Sequence, residues 1–233
     1  MSLLKDSLSK VIDYFFPKFD INSKKLWKLI SDYQKWKLIL HDEICFVCKK
    51  ESKNFQTHSF CNKNIIQLVS CFYYTNEIKK YILAFKYYHR KQIIEDIWYI
   101  MTLFYQIYFW NLKKEETIIT FVPMHWFRKY FVKWYNQWEL IAKQIWKNLD
   151  IKVEKICNKT KYTKPQAKIK ERKKRLKNLQ WSFKYNFSIP ENVKNIIIVD
   201  DVITTWTTII ELASEIKKYN KKINIYSLIL ARK

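Results

Sequence analysis

Residues 195–208 read NIIIVDDVITTWTT, and this stretch decides the fold. Asn195 to Val199 is a short β-branched run, the pattern of a buried strand. Two carboxylates follow, Asp200 and Asp201, and then a hydroxyl-rich turn. Thr207 to Tyr219 carries the spacing of an amphipathic helix. Strand, acidic pair, turn and helix form one unit of an α/β sheet, where ligands bind beyond the carboxyl ends of strands. A helix N-terminus at that edge offers free amides and a favourable dipole to an anion. Thr204, Thr205, Thr207 and Thr208 add hydroxyl donors. Asp200 and Asp201 can hold ribose hydroxyls or, indirectly, a magnesium ion. Phosphate, polyol and metal together describe a phosphorylated ribose. A strand running into an Asp/Thr helix cap would account for one carboxylate and one threonine. It does not account for two adjacent carboxylates and four threonines in five positions.

Outward from this unit, strands and helices alternate. Residues 117–122 (TIITFV) read as a buried strand ending at Pro123, 136–149 as a helix, 151–156 as a strand and 223–230 as a final strand. That order predicts a parallel sheet flanked by helices. Residues 157–180 are polar, strongly basic and without periodicity, and are expected to form a mobile loop. Upstream, 2–16, 24–40, 76–88 and 91–110 show helical periodicity, with Ser23 placed to cap the second of these. The expected division is a helical extension at 1–43, a small metal module at 44–70 and the α/β domain at 71–233.

The metal module rests on two ligand pairs, Cys45-x2-Cys48 and His58-x2-Cys61. Three thiolates and one imidazole separated by a short loop suit tetrahedral, structural zinc. Cys71 is a rival fourth ligand, although it lies among Phe72 and Tyr73 and reads as core. Cys157 reads as structural.

Composition narrows the classes further. The chain has 233 residues, 48% of them hydrophobic, enough for one α/β domain with an appendage. No apolar run is long enough for a transmembrane helix. Lys5, Asp6 and Lys10 interrupt the N-terminal apolar residues, so no signal peptide is expected and the expected location is cytoplasmic. The net charge of +23 raises polyanion binding. Only Arg90, Arg128, Arg172, Arg175 and Arg232 are arginines, however, and the remaining cations are lysines beside abundant Ile, Asn, Tyr and Phe. A/T-rich coding explains that bias as well as selected affinity does, and both origins stay open.

With these residues in place, the stretch at 195–208 resembles the phosphoribosyl pyrophosphate motif of type I phosphoribosyltransferases: a hydrophobic strand, Asp-Asp, two variable residues, then Thr-Thr-Gly-x-Thr. It matches at Asp200, Asp201, Thr204, Thr205 and Thr208, and departs at Trp206, which stands in the glycine position. The wider chain resembles the ComF family, competence-associated proteins with an N-terminal zinc module and this type of domain. The residues carrying that resemblance are Lys86, Val122-Pro123, Arg128, the run from Lys133 to Gln137, Thr163 with Gln166, Arg175 with Asn178, and Trp181-Ser182-Phe183. It implies that the acidic pair grips the ribose, that residues 204–208 cradle the 5′-phosphate, and that Arg128 and Lys133 face the pyrophosphate. Lys133 replaces the family's arginine and lacks its bidentate fork. Segment 157–180 has the size and placement of the substrate lid.

Glycine is absent, where ordinary usage of about 7% gives roughly 16. Trp134, Trp181 and Trp206 all stand where the resembled family has glycine. Two accounts are open: a UGA codon that the source organism reads as glycine, or a tryptophan-rich protein that has lost the activity. Two functions follow from the resemblance. One is a magnesium-dependent phosphoribosyltransferase acting in DNA uptake and natural transformation. The other is a non-catalytic protein on a relic of that fold, whose basic surface engages single-stranded DNA or a helicase partner.

Overall fold

The computed structural model describes residues 43–62, 64–76, 78–79, 82–83, 91–123, 149–160, 182–203 and 206–233. The helices expected at 2–16 and 24–40 lie outside these residues, as do all but Leu149 of the helix at 136–149, most of the helix at 76–88 and nearly all of the loop at 157–180. In chain order the elements are β1 (Gln67–Tyr73), α1 (Lys91–Tyr108), β2 (Thr117–Phe121), β3 (Lys152–Val153), β4 (Cys157–Lys159), β5 (Phe183–Tyr185), β6 (Asn195–Ile203), α2 (Thr207–Tyr219) and β7 (Asn224–Arg232).

Five strands form one sheet in the order β1-β7-β6-β2-β3, and every pairing in it is parallel. The architecture is α/β, as the alternating pattern predicts. β6 lies in the interior of the sheet: Ile197 faces Ile119 of β2 on one side and Tyr226 of β7 on the other. A strand paired on both edges and covered on both faces has no solvent side, and this is why Ile196, Ile197, Ile198 and Val199 are all apolar and buried.

Alternation along β6 divides the core into two layers. Ile197 and Val199 join Val69, Cys71, Leu228 and Leu230 under α1, which contributes Ile97, Ile100, Met101, Phe104 and Tyr105. Ile196 and Ile198 join Leu68, Ile118 and Ile225 under α2, which contributes Ile209, Leu212, Ala213 and Ile216. Both helices bury the i, i+3, i+4, i+7 stripe expected of an amphipathic helix on a sheet. Lys217 and Lys218 close the last turn of α2, where cations suit the helix dipole. An antiparallel ribbon of β4 and β5 adds Cys157 and Phe183 to the α2 layer. Glu215 ties the ribbon to α2 by accepting from the Tyr185 backbone N–H at 3.3 Å.

Several element boundaries differ from the sequence expectation. β6 runs on to Ile203, so the acidic pair lies inside the strand, with Asp200 opposite Ile229. The strand expected at 151–156 is only Lys152–Val153, because Cys157–Lys159 turns away to pair with Phe183–Tyr185. Those three residues were expected to open the mobile loop. β1 was not anticipated. It begins at Gln67, so the expected division at residue 70 falls within the strand.

Candidate metal centre and ligand site

Cys45, Cys48, His58 and Cys61 converge so that one ligand atom of each lies within 4.8 Å of all the others. Two short turns bring them together. In the first, the Lys49 N–H donates to the Cys45 carbonyl and the Cys45 N–H to the Lys50 carbonyl, both at 2.9 Å. In the second, the Cys61 N–H donates to the His58 carbonyl at 2.8 Å. Cys48 Sγ lies 3.3 Å from His58 Nδ1. Burial acts to raise the Cys45 thiol, but the backbone amides of Cys48, His58 and Val47 outweigh it and hold this thiol below its ordinary range. Cys61 is pushed up to about 11 by desolvation and by the neighbouring Cys48 and Cys45 sulfurs. Thiols crowded this closely resist joint ionisation, and a divalent cation removes that resistance. The donor set is therefore suited to a zinc ion, which takes three sulfurs and one nitrogen in a tetrahedron. Cys71 is not part of the cluster. It is fully buried in the α1 layer, and desolvation raises its thiol well above the usual range.

The second group of residues sits at the carboxyl edge of the sheet. β2 ends at Phe121, opposite Val199, while β6 continues to Ile203, and the Val122 N–H donates to the Val199 carbonyl at 3.2 Å. This places Val122-Pro123 beside the acidic pair. Asp200 and Asp201 are half-buried. Asp200 Oδ1 accepts the Asp201 N–H at 2.9 Å, and Asp201 Oδ1 accepts the Val202 N–H at 2.7 Å. The N-cap position of α2 is Trp206, whose side chain makes no capping bond. Thr207 is buried and Thr208 half-buried in the first turn of α2.

Trp206 has φ −69° and ψ 1°, a backbone state open to any residue. The case for glycine here is therefore the space its missing side chain leaves, since a positive φ is not needed. The indole of Trp206 packs edge-on to Phe46, with ring centroids 6.4 Å apart, and the Lys49 ammonium lies 5.5 Å from its centre. Phe46, between the first two cysteines of the cluster, is buried in the α2 layer with Ile65, Leu68 and Ile209. The metal cluster and the start of α2 thus share one patch of core. Lys49 is exposed, yet partial desolvation lowers its ammonium pKa, and the charge of Arg232 lowers it further. Arg232 ends β7 opposite Ile203, the last residue of β6, and is buried against the rings of Tyr73 and Phe55.

Of the residues singled out in the sequence, the structure unites the four metal ligands and puts Asp200, Asp201, Trp206, Thr207 and Thr208 at one end of β6. Lys86, Arg128, Lys133, Thr204 and Thr205 lie outside the described residues. Sequence reasoning missed Phe46, Lys49 and Arg232. The available signals were an aromatic between two ligands and a rare arginine at the end of an apolar strand.

The fold and its clusters define a parallel α/β protein with a group of three cysteines and one histidine that could hold a metal ion, in a segment tied to the start of β1 and to α2. No family model matches the chain. Over 125 residues it is 31% identical to competence protein F of Haemophilus influenzae, covering 51% of this chain and 52% of that protein. The chain thus spans about half the length of that relative. That relative's name agrees with the ComF resemblance carried by the sequence motifs.

Proposed function

We propose that the chain is a ComF-type protein that binds phosphoribosyl pyrophosphate with magnesium, or a closely related ribose phosphate, in a competence-related role. The observation that carries this reading is the edge of the sheet. Two half-buried carboxylates lie near the carboxyl end of the interior strand, beside Val122-Pro123, and α2 with its free amides begins at Thr207. In this reading Asp200 and Asp201 hold the ribose hydroxyls and, through water, the metal. Residues 204–208 hold the 5′-phosphate, with Arg128 and Lys133 on the pyrophosphate and Lys86 close by. The matching reaction is phosphoribosyl transfer. An acceptor nucleophile attacks C1, the bond from C1 to the pyrophosphate oxygen breaks, and magnesium pyrophosphate leaves with the electron pair. Orientation and charge stabilisation supply most of the rate.

A second reading is favoured by the charge. The chain carries 44 basic against 21 acidic residues, and a shallow hollow on α2 is lined by Asn64, Ser214, Lys217, Lys218 and Lys221. That surface suits single-stranded DNA, in a protein that binds without turning over.

The test is a calorimetric titration of magnesium phosphoribosyl pyrophosphate into the chain and into its Trp206→Gly variant. An indole fills the space a phosphate needs, so the chain should bind weakly and the variant at least tenfold more tightly, about 1.4 kcal/mol. Equal affinity in both would refute the loop assignment. Pyrophosphate release with a panel of nucleobases and amines then favours the transferase. Salt-sensitive DNA binding without release favours the second reading.

A further inference from the structure

We propose that the metal knuckle forms one wall of the ligand site, and that Lys49 on it contacts the ligand's 5′-phosphate in the space now filled by the Trp206 indole. The inference rests on the ribose-phosphate reading and adds a residue from outside the phosphate motif.

Three observations carry it. The first is that the knuckle fixes the backbone from which Lys49 projects. Lys49 has φ 64°, a left-handed conformation uncommon for a lysine, and two hydrogen bonds of the Cys45–Lys50 turn hold it there. Cys45 and Cys48 lie within that turn, so metal at the cluster pins the lysine from behind.

The second is where the side chain goes. The Lys49 ammonium reaches 5.5 Å from the centre of the Trp206 ring, and Trp206 directly precedes α2. Removing the indole leaves a space bounded by the Phe46 edge, the Lys49 ammonium and the opening turn of α2.

The third is charge. The N-terminus of α2 carries the positive end of its dipole, and the exposed Lys49 ammonium lies beside it, so an anion placed between them is attracted by both. Arg232, opposite Ile203, adds a second cation at this edge. Among the described residues no carboxylate forms an ion pair with Lys49. The chemistry these groups recognise together is a phosphate monoester dianion.

The experiment uses the full, zinc-loaded chain carrying Trp206→Gly and compares it with versions that also carry Lys49→Gln or Lys49→Arg. Ribose 5-phosphate and inorganic pyrophosphate are titrated separately, and zinc content is measured alongside. The expected result is that Lys49→Gln weakens ribose 5-phosphate about tenfold, as loss of one charged hydrogen bond does. Lys49→Arg should retain most of the affinity, pyrophosphate binding should change little, and zinc should stay at full stoichiometry. Unchanged ribose 5-phosphate binding in Lys49→Gln would overturn the proposal, as would a loss confined to pyrophosphate. If zinc falls with Lys49→Gln, the lysine only supports the knuckle and the proposal also fails. A parent variant that binds no ribose 5-phosphate at all would overturn the ribose-phosphate reading itself, and this inference with it.

Discussion

In a chain carrying Trp206→Gly, Asp200→Asn and Asp201→Asn are each expected to weaken magnesium-dependent binding of phosphoribosyl pyrophosphate by about tenfold to a hundredfold. Hydrogen bonds to a charged acceptor contribute about 1.5–3 kcal/mol, and this range converts to that loss. Folding should be spared for a specific reason. Each carboxylate accepts the next backbone N–H through Oδ1, Asp200 from Asp201 and Asp201 from Val202. Asparagine keeps that carbonyl oxygen and loses only the charge and the second acceptor. Glu191→Gln is the control, because it removes one negative charge from an exposed turn away from the edge. Titrations with thermal melts alongside decide the matter. Two Asp variants that bind like their parent and melt normally would leave the pair without a role in the ligand.

The largest effect on stability is expected at the metal cluster. Cys48→Ser or Cys61→Ser should abolish stoichiometric zinc, since tetrahedral sites of this size depend on all four donors. The damage should extend beyond the module, because Phe46 is buried among Ile65, Leu68 and Ile209 of the sheet domain. Releasing one phenylalanine from a core costs about 2–3 kcal/mol, or roughly 5–10 °C in melting temperature for a chain of this length. Zinc affinity should also rise with pH. The Cys61 thiol, pushed up to about 11 without metal, must lose its proton to bind, so higher pH favours the metal-bound form. Elemental analysis and melts with and without a chelator test this. Full zinc in Cys48→Ser, or a melting curve that chelation leaves unmoved, would contradict it.

The parts of the fold legible in the sequence were those whose signal is local. NIIIV and TIITF read as buried strands because each is a continuous β-branched run, and α2 read as a helix because its stripe spans three turns. Ligand spacing gave the metal cluster for the same reason, since x2 pairs need only a tight turn each. β1 was missed because QLVSCFY is covered on both faces and shows no alternation. The β4–β5 ribbon was illegible because each strand has three residues and pairs across a long polar insertion. The extent of β6 was hidden by its own chemistry: two aspartates look like the end of a strand, yet β7 continues alongside them to Arg232. The meeting of Phe46 and Lys49 with Trp206 joins residues about 160 positions apart, and only the packed sheet brings them together.

Whether the carboxyl edge of β6 is a ribose-phosphate site is tested most directly by a crystal structure of the Trp206→Gly chain grown with magnesium and phosphoribosyl pyrophosphate. The ribose hydroxyls are expected on Asp200 and Asp201, and the 5′-phosphate at the first turn of α2 within reach of Lys49. Ligand bound elsewhere on the chain, or an empty edge at saturating ligand, would contradict it.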